Sequence, residues 1–160
     1  MSQGAESPML NERKITNEIS ISGQPTAEDI ADVAQRGFRM VVNLRAEGEQ
    51  SDPDEEKRLV EEAGLNYTEI PVTPASLDDL AVQRFQGAVT GYDSTPAIVH
   101  CGSGGRAGIM VLLHLALTHG WSIQQALEEG EKMGNIAPGP DSPYRQFFES
   151  FLKRHSPAER

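Results

Sequence analysis

The sequence predicts a single α/β domain with a mainly parallel sheet of about four to five strands, flanked by helices, and a helical C-terminal half. Two observations favour this class. Strand-like and helical segments alternate along the chain, and one strand is apolar almost throughout, as strands buried on both faces are. The 160 residues suit one core. We expect a disordered segment at residues 1–13, the domain at 14–155 and a loose tail at 156–160.

Four segments have the character of strands. The first alternates polar and apolar residues and ends at Gly23, the second is apolar, the third is interrupted by Pro71, and the fourth leads into Cys101. In chain order they cover residues 18–22, 38–44, 67–72 and 96–100. Ligands of parallel α/β sheets bind beyond the carboxyl ends of the strands, so Cys101 is expected at a ligand site.

Helices are predicted after each strand from their capping residues. Thr26 and Asp29 have the pattern of a capping box, Gly37 ends the first helix, and Ser76 and Ser122 are expected to cap later ones. The predicted helix starts are Thr26, Pro53, Ser76, Arg106, Ser122 and Asp141. The acidic run at residues 52–56 is interpreted as a solvated helix N-terminus.

Charge and composition argue against several classes of function. The formal net charge of −10 disfavours nucleic-acid and anionic-membrane partners, because both recruit clustered Lys and Arg. The sequence has no run of about 18 apolar residues and no apolar segment near its start. Its single cysteine forms no internal disulfide. A free thiol fits a reducing compartment, so we expect a cytoplasmic protein.

The lone cysteine begins a glycine-rich turn. Residues 98–107 have the sequence IVHCGSGGRA, in which Cys101 follows a strand and Arg106 opens a helix. Such a turn directs several backbone N–H groups and the positive end of the helix dipole at one point, which favours both a thiolate and a bound oxyanion. The planar guanidinium of Arg106 is suited to two oxygens of a phosphate-like group. The sequence therefore predicts an anion site here.

His-Cys, a glycine-rich turn and then Arg resemble the signature of cysteine-dependent dual-specificity phosphatases. Three further segments occur in order before this loop: Ile21-Ser22-Gly23-Gln24-Pro25, then Gly37-Phe38 leading into Val41-Val42-Asn43-Leu44-Arg45, then Ile70-Pro71-Val72. With them the chain, from about Ile15 to Phe151, resembles the bacterial phosphatase-like domain family of beta-lactamase-hydrolase-like proteins. The resemblance implies a cysteine-phosphatase-like fold.

The resemblance also implies roles for individual residues. Cys101 attacks phosphorus to form a phosphocysteine, His100 supports the loop, and Asp78 is the candidate general acid. The phosphoryl oxygens are held by Gly102, Ser103, Gly104, Gly105 and Arg106. Substitutes for the acid are Glu47, Glu49 and Asp52. No metal or cofactor is implied, and the expected substrate is a phosphorylated protein or a small phosphorylated or sulfur-containing oxyanion.

The chain departs from the phosphatase pattern at three places. Four residues separate Cys101 from Arg106, one fewer than usual, and Ala107 stands where a Ser or Thr hydroxyl usually assists departure of the thiolate. No acid follows Val72 directly, where one is usual. Two alternatives therefore stay open: a rhodanese-like sulfurtransferase carrying sulfane sulfur on Cys101, and an oxyanion-binding module without turnover.

Overall fold

The computed structural model describes residues 9–50 and 52–159, and these residues include one five-stranded sheet. The strands are β1 (Arg13–Lys14), β2 (Ile19–Ser22), β3 (Met40–Asn43), β4 (Asn66–Glu69) and β5 (Ala97–His100). Their order across the sheet is β1-β2-β5-β3-β4; β1 pairs antiparallel with β2, and every other pair is parallel. The predicted fold class is confirmed, and β5 lies at the centre of the sheet.

Six α-helices lie within the described ranges. They are α1 (Ala27–Gln35), α2 (Pro53–Glu62), α3 (Asp79–Thr90), α4 (Gly105–His119), α5 (Ile123–Lys132) and α6 (Arg145–His155). The predicted capping box is present before α1, where Thr26 and Asp29 exchange side-chain to backbone hydrogen bonds. Ser122 and Gln125 cap α5 in the same way. Because such a cap stabilises a helix by about 1 kcal/mol, these two starts were predictable from sequence.

Helices cover both faces of the sheet. On one face α1 and α2 pack against Val41 and Ile98, and on the other α3 to α6 form the larger core with Val42 and Val99. Helix α4 is buried from Ala107 to Ala116 and packs against α3, α5 and α6. Close packing on every side fixes α4, and with it the position of its N-terminus beside Cys101.

The ordered domain extends beyond the boundaries predicted from sequence. Residues 1–8 of the predicted disordered segment lie outside the described residues, but Met9 is buried next to α1 and Arg13 begins β1. The predicted tail is packed as well: the Ser156 hydroxyl donates to the Trp121 carbonyl, and a Glu159 carboxylate oxygen accepts the N–H that begins α5. A polar composition does not reveal such ends, because chain termini are ordered wherever a buried side chain or a hydrogen bond ties them to the domain.

Two helix starts differ from the prediction. Helix α3 begins after Asp78 and not after Ser76, because the Ser76 hydroxyl is used in a turn, where it accepts from the Thr73 N–H at 2.8 Å. Helix α6 begins at Arg145, because the residues after Asp141 form turns around Pro143. Within the described residues, no helix has both the length and the apolarity needed to cross a membrane.

Candidate active site

Cys101 lies directly after β5, on the side of the sheet formed by the carboxyl ends of β5 and of its parallel neighbours β2 and β3. The residue is buried, and its Sγ accepts a hydrogen bond from the Gly104 N–H at 3.1 Å. Gly104 immediately precedes the fifteen-residue helix α4, so the sulfur faces the unpaired amides and the positive end of that helix. This is the environment that stabilises a thiolate.

Two carbonyl groups of the Cys101 loop (residues 101–106) are held by partners outside the site. The Gly102 carbonyl accepts from the Gln24 backbone N–H at 3.0 Å, and the Ser103 carbonyl accepts from Asn11 Nδ2 at 2.7 Å. In a trans peptide the C=O and N–H groups point in opposite directions, so the N–H groups of Ser103 and Gly104 face away from these partners. The Gly104 N–H reaches Sγ accordingly. The partners that hold the carbonyls from outside thus leave one loop donor, the Gly104 N–H, directed at the sulfur.

Two glycines are required by this arrangement. Gly104 has φ +108°, a conformation that L side chains rarely adopt, and it is the residue at which the loop turns into α4. Gly23 lies against the loop so closely that a Cβ there would stand 2.9 Å from the Gly102 carbonyl oxygen. The Gly23-Gln24 turn can therefore approach the loop only with glycine at position 23.

The Arg106 guanidinium is partly engaged within the protein. Nη1 and Nη2 donate to the two carboxylate oxygens of Glu49 at 2.6 and 2.9 Å, and Nη1 also donates to the Val72 carbonyl at 3.1 Å. The remaining donors are Nε–H and the second Nη2 hydrogen, which lie on one edge of the guanidinium plane and have no acceptor among the described residues. Two parallel donors on one edge match two oxygens of a phosphate or sulfate-like group.

The contact between Arg106 and Glu49 fixes the charge of both groups. The hydrogen bond from Arg106 lowers the pKa of Glu49 to about 2, so Glu49 is a carboxylate at neutral pH. The same hydrogen bond raises the pKa of Arg106 above its ordinary value. Glu49 thus orients the cation, and in this arrangement it is not the substitute proton donor that the sequence suggested.

His100 is fully buried and contacts the loop from behind. Its Nδ1 lies 3.4 Å from the Cys101 carbonyl oxygen, and its Nε2 lies 2.5 Å from Oε2 of Glu56 in α2. The other Glu56 oxygen accepts from Gln24 Nε2 at 3.0 Å and from Arg45 Nη2 at 3.1 Å. The supporting role expected of His100 therefore has a physical basis in a buried hydrogen-bonded network.

Comparison with known proteins identifies the family of this chain. The family model for the phosphatase-like domain of beta-lactamase hydrolase-like proteins matches residues 11–128. The chain belongs to this family. The matched range contains all five strands, the whole Cys101 loop, and the residues that hold the loop from outside, Asn11 and Gln24.

Two curated relatives carry the same domain in longer chains. The beta-lactamase hydrolase-like protein of Xylella fastidiosa is 35% identical over 102 residues, which cover 62% of this chain and 23% of that protein. The beta-lactamase hydrolase-like protein of Agrobacterium fabrum is 30% identical over 142 residues, covering 78% of this chain and 33% of that protein. The phosphatase-like domain thus spans about a quarter to a third of the length of these relatives.

Solved structures share the fold. A DUF442 protein from Shewanella putrefaciens CN-32 superimposes with a TM-score of 0.72 at 23% identity, covering 92% of this chain and 94% of that one. The core catalytic domain of the PP-IP phosphatase SIW14 from S. cerevisiae gives a TM-score of 0.67 at 16% identity, with coverage of 92% and 94%. The phosphatase-like domain therefore has a cysteine-phosphatase-like fold, as the resemblance implied.

Asp78 differs from the other predicted site residues of the phosphatase-like domain, because its carboxylate caps a helix. It is exposed at the start of α3, where Oδ1 accepts from the Ala81 N–H at 2.9 Å. The loop before α3 does reach the site, but through the Val72 carbonyl at its opposite end. Ala107 is fully buried in α4 and supplies no hydroxyl. The role of Asp78 as general acid stays a prediction.

Sequence reasoning missed several contributors to the site. Glu56 was assigned to a solvated acidic run, yet it is 5% exposed. The helical period held the signal, since Glu56 lies four residues before the buried Val60 on the inward face of α2. Asn11 gave no signal, because it falls in a polar segment expected to be disordered. Tyr144, just before α6, is half-buried, and burial raises the pKa of its phenol.

Proposed function

We propose that this domain is a cysteine-dependent phosphatase that hydrolyses phosphomonoesters through a phosphocysteine intermediate. One observation carries the proposal: Cys101 Sγ faces the Gly104 N–H at the start of α4 beside the unused donor edge of Arg106. A nucleophile and an oxyanion cradle are thereby combined at one point. The substrate class proposed is a phosphorylated protein or a small phosphate monoester, handled in a reducing compartment where the thiol stays free.

The proposed reaction has two steps. The Cys101 thiolate attacks phosphorus, an S–P bond forms, the P–O bond to the leaving group breaks, and the leaving oxygen takes a proton from the acid, for which Asp78 is the candidate. Water then attacks the phosphocysteine, gives a proton back to that acid, and the S–P bond breaks to release phosphate and the thiolate. The loop amides and Arg106 stabilise the phosphoryl oxygens in both steps.

Sulfur transfer is a second candidate because of Ala107. A persulfide on Cys101 needs neither a hydroxyl at position 107, where Ala107 has none, nor a general acid, and the carboxylate of the candidate acid Asp78 caps α3. In this alternative the Cys101 thiolate attacks the outer sulfur of thiosulfate, the S–S bond breaks, and sulfite leaves with its electron pair. A thiol or cyanide then takes the sulfur from the persulfide.

The deciding experiment compares both reactions on one preparation. Phosphate release from an aryl phosphate is measured for wild type and for Cys101→Ser, alongside transfer of sulfur from thiosulfate to cyanide. We expect phosphate release that falls to the uncatalysed background in Cys101→Ser. Equal turnover in that variant would refute the nucleophile, and sulfur transfer without phosphate release would establish the second candidate. Binding of orthophosphate with neither activity would leave an oxyanion-binding module.

A further inference from the structure

A cleft of about 330 Å³ lies beside the Cys101 loop, between β1 and the turn that follows α5. Ser103, Gly104 and Gly105, which the proposed function assigns to the phosphoryl group, also line this cleft. Its volume is within the range of small-molecule sites. We propose that the cleft binds a second anionic group of the substrate through Arg13, and that the substrate is a small phosphomonoester carrying a second phosphate or a carboxylate. The proposal rests on the proposed function, because the Cys101 loop must hold the first group.

Arg13 is the cation that lines this cleft, and it has no hydrogen-bond or ion-pair partner among the described residues. Six other arginines of this acidic chain form ion pairs with Asp or Glu side chains. The acid that lines the cleft, Glu12, is itself engaged, because its two carboxylate oxygens accept from Arg36. The donors of Arg13 are thus unused, and a guanidinium with unused donors is suited to a phosphate or a carboxylate.

The Arg13 guanidinium packs against the backbone of the turn after α5. A Cβ at Gly134 would stand 2.5 Å from Arg13 Nη1 and 2.7 Å from Nε, so the guanidinium in this position requires glycine there. Gly134 also has φ +98°, a conformation that L side chains rarely adopt. Since Gly134 lines the cleft, the cation is placed at the cleft by contact with the backbone and not by a carboxylate.

The strand that carries Arg13 is tied to the Cys101 loop. In β1, Arg13 pairs with Ile21 of β2, and two residues earlier Asn11 Nδ2 donates to the Ser103 carbonyl at 2.7 Å. The exposed side chains of Ser103 and Asn135 also line the cleft, and neither has a hydrogen-bond partner among the described residues. The cleft therefore offers polar contacts to a second anion of a substrate whose phosphoryl group lies in the loop.

The first test measures binding of alkane bisphosphonates to the full chain by titration calorimetry, in a series of increasing chain length. Each probe is compared with the alkyl monophosphonate of the same chain length. Both carry C–P bonds in place of the phosphate ester, so no turnover interferes. We expect a chain length at which the bisphosphonate binds about tenfold more tightly, as one additional charge-assisted hydrogen bond provides. A series without such a length would overturn the proposal.

Matched variants assign this gain to Arg13. Arg13→Gln should remove it, whereas Lys14→Gln should keep it, since Lys14 is the next residue of β1, is exposed and does not line the cleft. An ionic strength of about 0.15 M screens exposed charges more than about 8 Å away. Orthophosphate should bind equally to all three proteins. A gain that survives in Arg13→Gln, or an equal loss in both variants, would overturn the proposal.

A second test uses the wild-type chain and so does not depend on a variant that folds. Backbone amide chemical shifts of Gly134 and Asn135 are followed as orthophosphate or the tightest bisphosphonate is added. We expect these two amides to respond to the bisphosphonate alone, and an equal response to both probes would overturn the proposal. Neither test requires turnover. Absence of phosphatase activity would therefore refute the proposed function alone, and hydrolysis of an aryl phosphate without a preference for bisphosphonates would refute the second subsite alone.

Discussion

The Cys101 loop and the loop between β4 and α3 differ in how their functional groups are held. In the Cys101 loop, Gln24 and Asn11 hold two carbonyls from outside, and the Gly104 N–H is directed at the sulfur. In the loop between β4 and α3, the contact with the site is the Val72 carbonyl, and the carboxylate of Asp78 is used as a helix cap. The proposed oxyanion cradle is thus formed by a backbone that other residues hold in place, whereas the proposed proton donor is a side chain that is engaged as a helix cap.

This difference separates two properties that phosphatases combine, namely binding of the phosphoryl group and protonation of the leaving group. Changes in the Cys101 loop should affect every substrate, because all share the phosphoryl group held by that loop. Changes in the β4–α3 loop should affect only substrates whose leaving group needs a proton. Variants of the two loops therefore predict different patterns across a series of phosphate esters.

The largest effect is expected from Arg106→Lys. Lysine keeps the positive charge but lacks the second donor of the Nε and Nη2 edge, so the bidentate contact with the transferred phosphoryl group is lost. We expect kcat/KM to fall by ~10²–10³-fold for aryl and alkyl phosphates alike. Arg58→Lys on the exposed face of α2 serves as the control. A similar small loss in both variants would show that charge alone suffices at position 106.

Asp78→Asn tests the opposite loop. Asparagine caps a helix as well as aspartate does, so the variant should keep its melting temperature while losing the proton. If Asp78 is the acid, kcat falls by ~10²-fold for an alkyl phosphate and only a few-fold for an aryl phosphate with a good leaving group. Equal, small effects on both esters would remove Asp78 from this role. The β4–α3 loop would then contribute no proton from Asp78, and the difference between the two loops would be complete.

The Cys101 loop was predictable from sequence because its residues are neighbours in the chain. The strand, Cys101, the glycines, Arg106 and the helix follow one another, so local rules of helix dipoles and glycine conformation were sufficient. The alternation of strands and helices likewise determined the parallel sheet. The start of α3 was harder, since Ser76 and Asp78 are both good caps, and the hydrogen bond between Ser76 and Thr73 decided between them.

Contacts between distant parts of the chain could not be predicted in the same way. Glu56 lies 44 residues from His100, and Asn11 lies 92 residues from Ser103. Only the fold brings these pairs together. A buried acid within an acidic run looks like its exposed neighbours in composition, and the helical period that distinguishes it becomes informative only once the inward face of α2 is known.

Gly104→Ala is expected to have an intermediate effect. The residue has φ +108°, and no atom lies closer than 3.7 Å to the added Cβ, so the cost is one of backbone conformation and not of space. A strain of about 1–3 kcal/mol would displace the N–H that contacts Sγ and lower kcat/KM by roughly tenfold. Gly87→Ala, in an exposed and open position of α3, is the matched control. Equal activity of the two variants would show that the Cys101 loop is not rigidly held.

The smallest effect is expected from Asp79→Asn, which removes the tie between α3 and α6. Asp79 accepts from Arg154 and contacts His155, and these exposed partners lower the pKa of Asp79 to about 2. A carboxyl pKa that folding lowers contributes stability above the unfolded value of 3.8, and that contribution is lost as pH falls from about 4 to 2. Because the pair is solvent-exposed, we expect the melting temperature to fall by about 2 °C at most at pH 7 and by less at pH 2, where part of the folded protein already carries a protonated Asp79. Hydrolysis of both esters should be unchanged. A loss of activity on the alkyl phosphate alone would instead mean that α6 holds the β4–α3 loop in the position needed for proton donation. The two loops would then also differ in what anchors them, α6 for one and Gln24 and Asn11 for the other.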